Sequence, residues 1–328
     1  MQRRHVVAGL VLAAVLPHEV RAQQPDGMRR IGYMVFGSET EYTSSMLHTF
    51  RVALKRLGWS EGENIELITR WTGSEIGKIR ATADEMVGLH PDLIVASGTP
   101  LVLALKNEGS SIPIVFMFVS DPTGSGIVGD LARPGGSITG FTAFEPSMAG
   151  KWLQILRELV PSVKRIGLLF NPTTAPNAQL FIREMEPIAS SMSIELGRIP
   201  VHDVSEMEVA LRTFASAEYG ALVVVPDIFT TANRTRLIAV VAELRLPTIY
   251  SYPLFVTDGG LVSYGIPSQV QYMQAAAYVD RILRGTHPGE LPVQQPTKFE
   301  LTINVKTAKA LGLTIPPMLL TSVDEIIE

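Results

Sequence analysis

The sequence predicts an α/β protein built as two doubly wound, Rossmann-like lobes joined by a hinge of several chain crossings. Three observations carry that expectation. Strand-like and helix-like segments alternate from Arg30 onward, and the alternation starts afresh after Thr142. The strand-like runs are near-continuous Val, Ile and Phe, the pattern of strands covered on both faces of a parallel sheet. At 328 residues, the chain has the length of two domains.

In chain order, Ile31–Phe36 reads as a buried strand. A helix near Thr43–Leu57 follows, with Met46, Phe50, Ala53, Leu54 and Leu57 on one face and Gly58 to end it. Strands are expected at Asn64–Trp71, Asp92–Ala96 and Pro113–Val119, with helices at Ile76–Leu89 and from Thr99-Pro100 between them. A loop rich in Gly and Pro, Asp121 to Gly136, leads to a strand at Ser137–Thr142. The second array opens with a helix at Met148–Val160, where Met148, Trp152, Ile155, Leu156 and Leu159 share a face. It continues with a strand at Arg165–Asn171, a helix at Asn177–Met192 interrupted or kinked at Pro187, and a strand at Ile194–Val201. Ser205 and Glu208 make a capping box for the next helix. The strand Ala221–Pro226, the helix Thr230–Leu244 and the strand Pro247–Tyr252 complete the set. The remaining elements, Leu261–Gly265, Ser268–Arg284 and Lys298–Val305, are too few for a core of their own and must return to the two lobes. The expected division is 28–142 plus 266–290 for lobe 1, and 143–265 plus 291–328 for lobe 2.

Met1 to Arg4 carry two arginines, Val6–Leu16 is apolar, and Val20-Arg21-Ala22 precedes Gln23. This is the layout of a cleavable secretory signal peptide over 1–22, and its apolar run falls short of the about 20 residues a membrane span needs. The absence of cysteine removes disulfides, thiol nucleophiles and the lipid-modified cysteine that tethers many exported proteins. A soluble protein of the periplasm is expected. With 18% charged residues and a net charge of −4, no broad basic surface for nucleic acid is implied.

Ligands in open α/β sheets bind outside the carboxyl ends of the strands. In the first array those ends are Phe36-Gly37-Ser38, Ser97-Gly98-Thr99 and Ser120-Asp121; in the second they are Asn171-Pro172, Pro226-Asp227 and Tyr250-Ser251-Tyr252. Thr99 as cap and Pro100 at the first helical position leave backbone N–H groups free, and Gly98 lets an anion approach closely, so this turn suits a carboxylate. The same signature belongs to a plain helix cap. Asp227 can hold an ammonium group or cap the following helix. Asp121 sits in Asp-Pro-Thr-Gly, a good turn sequence, and Asn171 in Asn-Pro, another. Phe36, Tyr250, Tyr252 and Tyr264 can stack on a planar ligand or belong to the core.

An enzyme needs a catalytic constellation, and none is visible. His48, His90, His202 and His287 have no metal-like spacing, and His5 and His18 fall in the leader. Neither a nucleophile elbow nor a Walker pattern occurs. Gly124–Gly129 matches G-x-G-x-x-G, with Glu145 where a ribose-binding acid would fall. The context is wrong: the stretch lies four strands in and meets Arg133-Pro134-Gly135-Gly136 within a turn or two, so an interlobe loop is the better reading. No cofactor or metal is expected. A ligand-sensing module that contacts a membrane signalling partner remains as an alternative to transport.

Several stretches are more specific. They are Arg30–Tyr33 (Arg-Ile-Gly-Tyr), Leu57–Ile65, Ser97–Pro100, Ile112–Phe116, Asp121–Gly126, Leu131–Gly136, Leu159–Pro161, Gln295–Leu301 and Asn304–Pro317. On these the chain resembles the ABC-transporter substrate-binding protein family that includes tryptophan- and tyrosine-binding receptors, with a type I periplasmic-binding-protein fold. The resemblance implies a hinged monomer that delivers a small, amino-acid-like or aromatic solute to a permease and ATPase in the inner membrane. Carried over by position, Ser97-Gly98-Thr99 would hold a carboxylate and Asp227 an ammonium. The missing lipid-anchoring cysteine is a departure from the Gram-positive members.

Overall fold

The computed structural model describes residues 27–73, 76–144 and 148–328. The leader expected over 1–22 and Glu145 lie outside the described residues.

The first array runs β1 (Arg29–Val35), α1 (Glu41–Arg56), β2 (Ile65–Trp71), α2 (Ile76–Gly88), β3 (Leu93–Ser97), α3 (Thr99–Asn107), β4 (Ile114–Ser120) and β5 (Ile138–Phe144). Its strands form one parallel sheet in the order β2-β1-β3-β4-β5. The strands carry no apolar–polar alternation because helices cover both faces: Ile31, Tyr33, Val95 and Val115 pack into one core, Met34, Ile94, Ala96 and Phe116 into another. β4 and β5 approach closely at Gly140, where an added Cβ would lie 2.2 Å from the Phe116 carbonyl oxygen.

The second array runs α4 (Ala149–Leu159), β6 (Arg165–Phe170), α5 (Ala178–Ser191), β7 (Glu195–Pro200), α6 (Val204–Ala215), β8 (Gly220–Val224), α7 (Ile228–Ala232), α8 (Arg234–Glu243), β9 (Thr248–Tyr250), α9 (Pro253–Thr257) and β10 (Val262–Gly265). After it come α10 (Ser268–Leu283), β11 (Glu300–Asn304), α11 (Val305–Ala310), α12 (Pro317–Leu320) and β12 (Glu325–Ile327). The second sheet has seven strands in the order β12-β11-β10-β9-β8-β6-β7. It is parallel except where β11 runs antiparallel to β10. Its core is centred on Trp152, Phe181, Ile166, Leu168 and Val223.

Three details differ from the expectation. Asp203, not Ser205, caps α6: its carboxylate accepts from the Glu206 N–H at 2.8 Å. Pro187 sits inside α5 without ending it. The helix expected over Thr230–Leu244 is two helices, because Asn233 leaves helical geometry and turns its side-chain amide onto the Phe229 carbonyl at 2.9 Å.

The chain passes between the two sheets three times: from β5 to α4, from β10 to α10, and from Gln294 to β11. On its return, α10 packs on α1, β4 and β5. Residues 291–294 also stay with the first sheet, Gln294 donating to the Gly140 carbonyl and accepting from the Thr142 N–H, each at 2.9 Å. These passages set the carboxyl ends of both parallel sheets against one another. Among the described residues no helix is long and apolar enough to cross a membrane.

Candidate ligand-binding site

The carboxyl ends of β1 and β3 and the starts of α1 and α10 form one wall of a cavity of about 360 Å3. Residues from α7, α8 and the turn into α9 form the other. That volume falls at the low end for small-molecule sites, which run from about 300 to 1,000 Å3. Phe36, Gly37, Ser38, Ser97, Gly98 and Tyr252 all face it, so six of the expected site residues come together here. Below lies a narrow pocket of about 30 Å3, room for about a single water, which Thr99, Ser120 and Asp227 line together with Gly98 and Tyr252.

The remaining expected residues are held elsewhere. Asp121 adopts a left-handed backbone with φ +44° and accepts from Gly124 N–H at 2.8 Å and Thr123 Oγ1 at 3.1 Å, so the turn reading of this residue is the one the geometry supports. Asn171 is buried, its Nδ2 donating to the His202 carbonyl and its Oδ1 accepting from Thr173 N–H. Tyr250 stacks on Phe255 at 4.6 Å inside the second core, and Tyr264 packs on Phe299. None of these four lines the cavity or the narrow pocket.

Asp227 is 4% exposed and caps α7. Its Oδ2 accepts from Asn171 N–H at 2.7 Å, while Oδ1 accepts from Thr174 Oγ1 at 2.5 Å and Phe229 N–H at 2.9 Å. Burial raises its pKa to about 6 against these three donors. A carboxylate so occupied by its own chain has little left to give an ammonium.

Gly98 takes φ +95°, a conformation side chains resist, and precedes α3 with no side-chain cap. Ile228 from α7 closes over it, since a Cβ on Gly98 would lie 3.1 Å from Ile228 Cγ2. The Thr99 hydroxyl accepts from the Ser120 N–H at 3.4 Å.

Several site residues escaped the sequence reading. Phe118 interrupts β4 with φ +54° where the register against β5 shifts. Its N–H is caught by the buried Gln271 of α10 at 2.8 Å, and Gln271 also donates to the Thr142 carbonyl. This bulge sets the Phe118 ring into the cavity, 6.0 Å from Tyr252 and 5.6 Å from Tyr272. Tyr42, Ser268 and Tyr272 join it from α1 and α10. Burial raises the Tyr42 phenol, with a hydrogen bond to Ser268 and the nearby Arg234 pulling the other way.

Arg234, the first residue of α8, is the cation of the second wall, its side chain 16% exposed. Nε donates to Asp258 Oδ2 at 2.7 Å and Nη1 to the Thr231 carbonyl at 3.3 Å. The guanidinium carries five N–H donors, so more remain for a guest. Lys78 lines the mouth from the first wall.

A hydrogen-bonded contact also ties the two lobes. Asn177, preceding α5, donates through Nδ2 to the Ser120 carbonyl at 2.6 Å and to Ser125 Oγ at 2.8 Å. Ser125 lies in the Gly124–Gly129 stretch, which forms turns here and opens no helix.

Two sheets that present their carboxyl ends to a shared cavity, joined by three passages of the chain, define a two-lobed receptor of the type I periplasmic-binding-protein fold. The chain belongs to the ABC transporter substrate binding protein family, whose sequence model matches residues 41–327. It is 27% identical over 264 residues to the tyrosine-binding protein of Clostridioides difficile, covering 80% of this chain and 75% of that one. A conserved domain protein from Vibrio cholerae superposes with a TM-score of 0.84 at 26% identity, over 91% of this chain and 99% of that structure. An ABC domain from Streptococcus pneumoniae in complex with L-Trp gives a TM-score of 0.84 at 22% identity, over 92% of this chain and 100% of that one.

Proposed function

We propose that the chain is the solute receptor of an ABC importer, freed into the periplasm by cleavage of its leader and acting as a monomer. Its lobes, 28–142 with 266–290 and 143–265 with 291–328 save that residues 291–294 pair with the first sheet, close on a small carboxylate-bearing solute, amino-acid-like or aromatic. The closed form then docks on a permease and its ATPase in the inner membrane. No chemistry is done on the solute and no cofactor is required.

The observation that carries this reading is the shared cavity, whose two walls belong to different lobes. A ligand stabilises closure only as far as it touches both walls, because equal affinity for open and closed forms shifts nothing. The relatives add support: one curated relative is a tyrosine-binding protein, and one neighbour of the same fold was crystallised with L-Trp.

A thermal-shift screen of the mature protein against amino acids, aromatic acids, other small carboxylates and neutral sugars tests it. A carboxylate present at 100 times its Kd is expected to stabilise the native form by about 2.7 kcal/mol. A panel in which only neutral sugars raise the melting temperature ends the carboxylate reading.

The Asn177 bridge offers a second check. Asn177→Ala removes two hydrogen bonds between the lobes, each worth about 0.5–1.5 kcal/mol net. Solute affinity measured by calorimetry is expected to fall by about 1–2 kcal/mol. An unchanged affinity would mean that the bridge persists in the open form.

A further inference from the structure

The charges facing the cavity discriminate between solutes that share an aromatic carboxylate body. We infer that this site selects a flat organic anion without an ammonium group, its acid head held by Arg234 and its ring held among Phe36, Phe118, Tyr252 and Tyr272. The inference rests on the receptor reading above and narrows it.

Three observations lead there. First, Arg234 faces the cavity, while among the described residues lining it there is no Asp or Glu. Asp258 engages Arg234 through Nε but is not part of the lining, and the Thr231 carbonyl takes one Nη1 hydrogen, so the other Nη hydrogens are the part left to meet a guest. A planar fork with spare donors, mostly withdrawn from water, is suited to a carboxylate. Second, Asp227 is the acid nearest in the neighbouring narrow pocket, and both its oxygens are engaged by Asn171, Thr174 and Phe229. Among the described lining residues an ammonium would therefore be desolvated with hydroxyls and carbonyls to receive it, beside the Arg234 guanidinium; that is a cost which a simple acid avoids. Third, the rings come from both walls, Tyr252 from one side and Phe36, Phe118 and Tyr272 from the other. Phe118 is fixed between Tyr252 and Tyr272 by a bulge. Phe118 meets Tyr252 edge-on at 6.0 Å and Tyr272 at a tilt at 5.6 Å, and all three rings line the cavity, giving apolar aromatic surface for a planar body.

The test uses matched probes on the full mature protein: indole-3-propionate, L-tryptophan and tryptamine, with 3-phenylpropionate, L-phenylalanine and phenethylamine as a smaller-ring set. Calorimetry is expected to give the two propionates Kd values at least tenfold below those of their amino acids, with the amines not binding. If the amino acids bind as tightly as the propionates or more so, the inference fails while the receptor reading stands. If neither propionates nor amino acids bind, both fail.

Arg234→Gln should weaken propionate binding about 10–100-fold while the ligand-free melting temperature reports that the fold persists. Asp258→Asn is the companion variant, removing the ion-pair partner while leaving the guanidinium in place. It is expected to leave propionate affinity within about threefold. If Asp258→Asn costs as much as Arg234→Gln, the ion pair rather than the fork matters, and the role given to Arg234 is overturned.

Discussion

Trp152→Ala is expected to destabilise the second lobe by about 3–5 kcal/mol, the range for truncating a large aromatic in a core. Trp152 is 1% exposed, stacks on Phe181 with centroids 5.6 Å apart, and meets Phe144 at 6.4 Å. Its indole N–H donates to the Tyr264 carbonyl at 2.8 Å. The side chain thus joins α4, the first helix after one passage between the sheets, to the end of β10, the last strand before the next. Truncation opens a cavity and leaves the carbonyl without this donor. Trp152→Phe keeps a ring on Phe181 and loses the hydrogen bond, so a smaller loss of about 1–3 kcal/mol is expected. Urea unfolding followed by circular dichroism measures both. Equal losses for the two variants would place the energy in the hydrogen bond and contradict the packing account.

Much of the fold was legible because buried parallel strands leave so plain a trace. Ile31–Phe36 and Ala221–Pro226 are continuous apolar runs, and the strands found at Arg29–Val35 and Gly220–Val224 lie within a residue or two of them. Part of the site was legible for a related reason: once a strand is parallel, its carboxyl end faces the ligand side, which placed Phe36, Gly37, Ser38, Ser97 and Gly98.

The rest was hidden by local geometry that residue type does not encode. Tyr250 and Tyr252 stand two apart, and a strand running through both would put them on one side. β9 ends at Tyr250, which turns into the core, and Tyr252 beyond it turns to the cavity. Nothing in a phenylalanine announces a left-handed bulge, so Phe118 read as one more strand residue. Arg234 fell inside the single helix expected over Thr230–Leu244. Only the break at Asn233 makes it the first residue of a helix that faces the cleft. Ser268 and Tyr272 lie four apart on one face of α10, and only the topology that returns this helix to the first lobe brings them to the site.

The pH dependence of stability should pass through Asp227. Burial lifts its pKa from the ordinary 3.8 to about 6, against hydrogen bonds from Thr174, Asn171 and Phe229 that favour the charged form. A carboxyl whose pKa is higher folded than unfolded binds its proton more tightly in the native state. Its contribution to stability is therefore complete below about pH 4 and is lost as pH climbs through 6. The gap of about two pH units corresponds to about 3 kcal/mol. Asp227→Asn carries no charge at any pH, so it removes this slope along with part of the cap, since an amide cannot accept from every donor that faces it. The variant is expected to be clearly less stable than the parent at pH 4, and the parent's advantage should shrink by about 3 kcal/mol by pH 7. Urea melts of both proteins at half-unit steps from pH 4 to 7 give the difference curve directly. Parallel curves would show that Asp227 titrates no higher folded than unfolded and is ionised over most of this range. A carboxylate stabilised in that way would again be a candidate to receive a solute's ammonium, against its role here as the cap of α7.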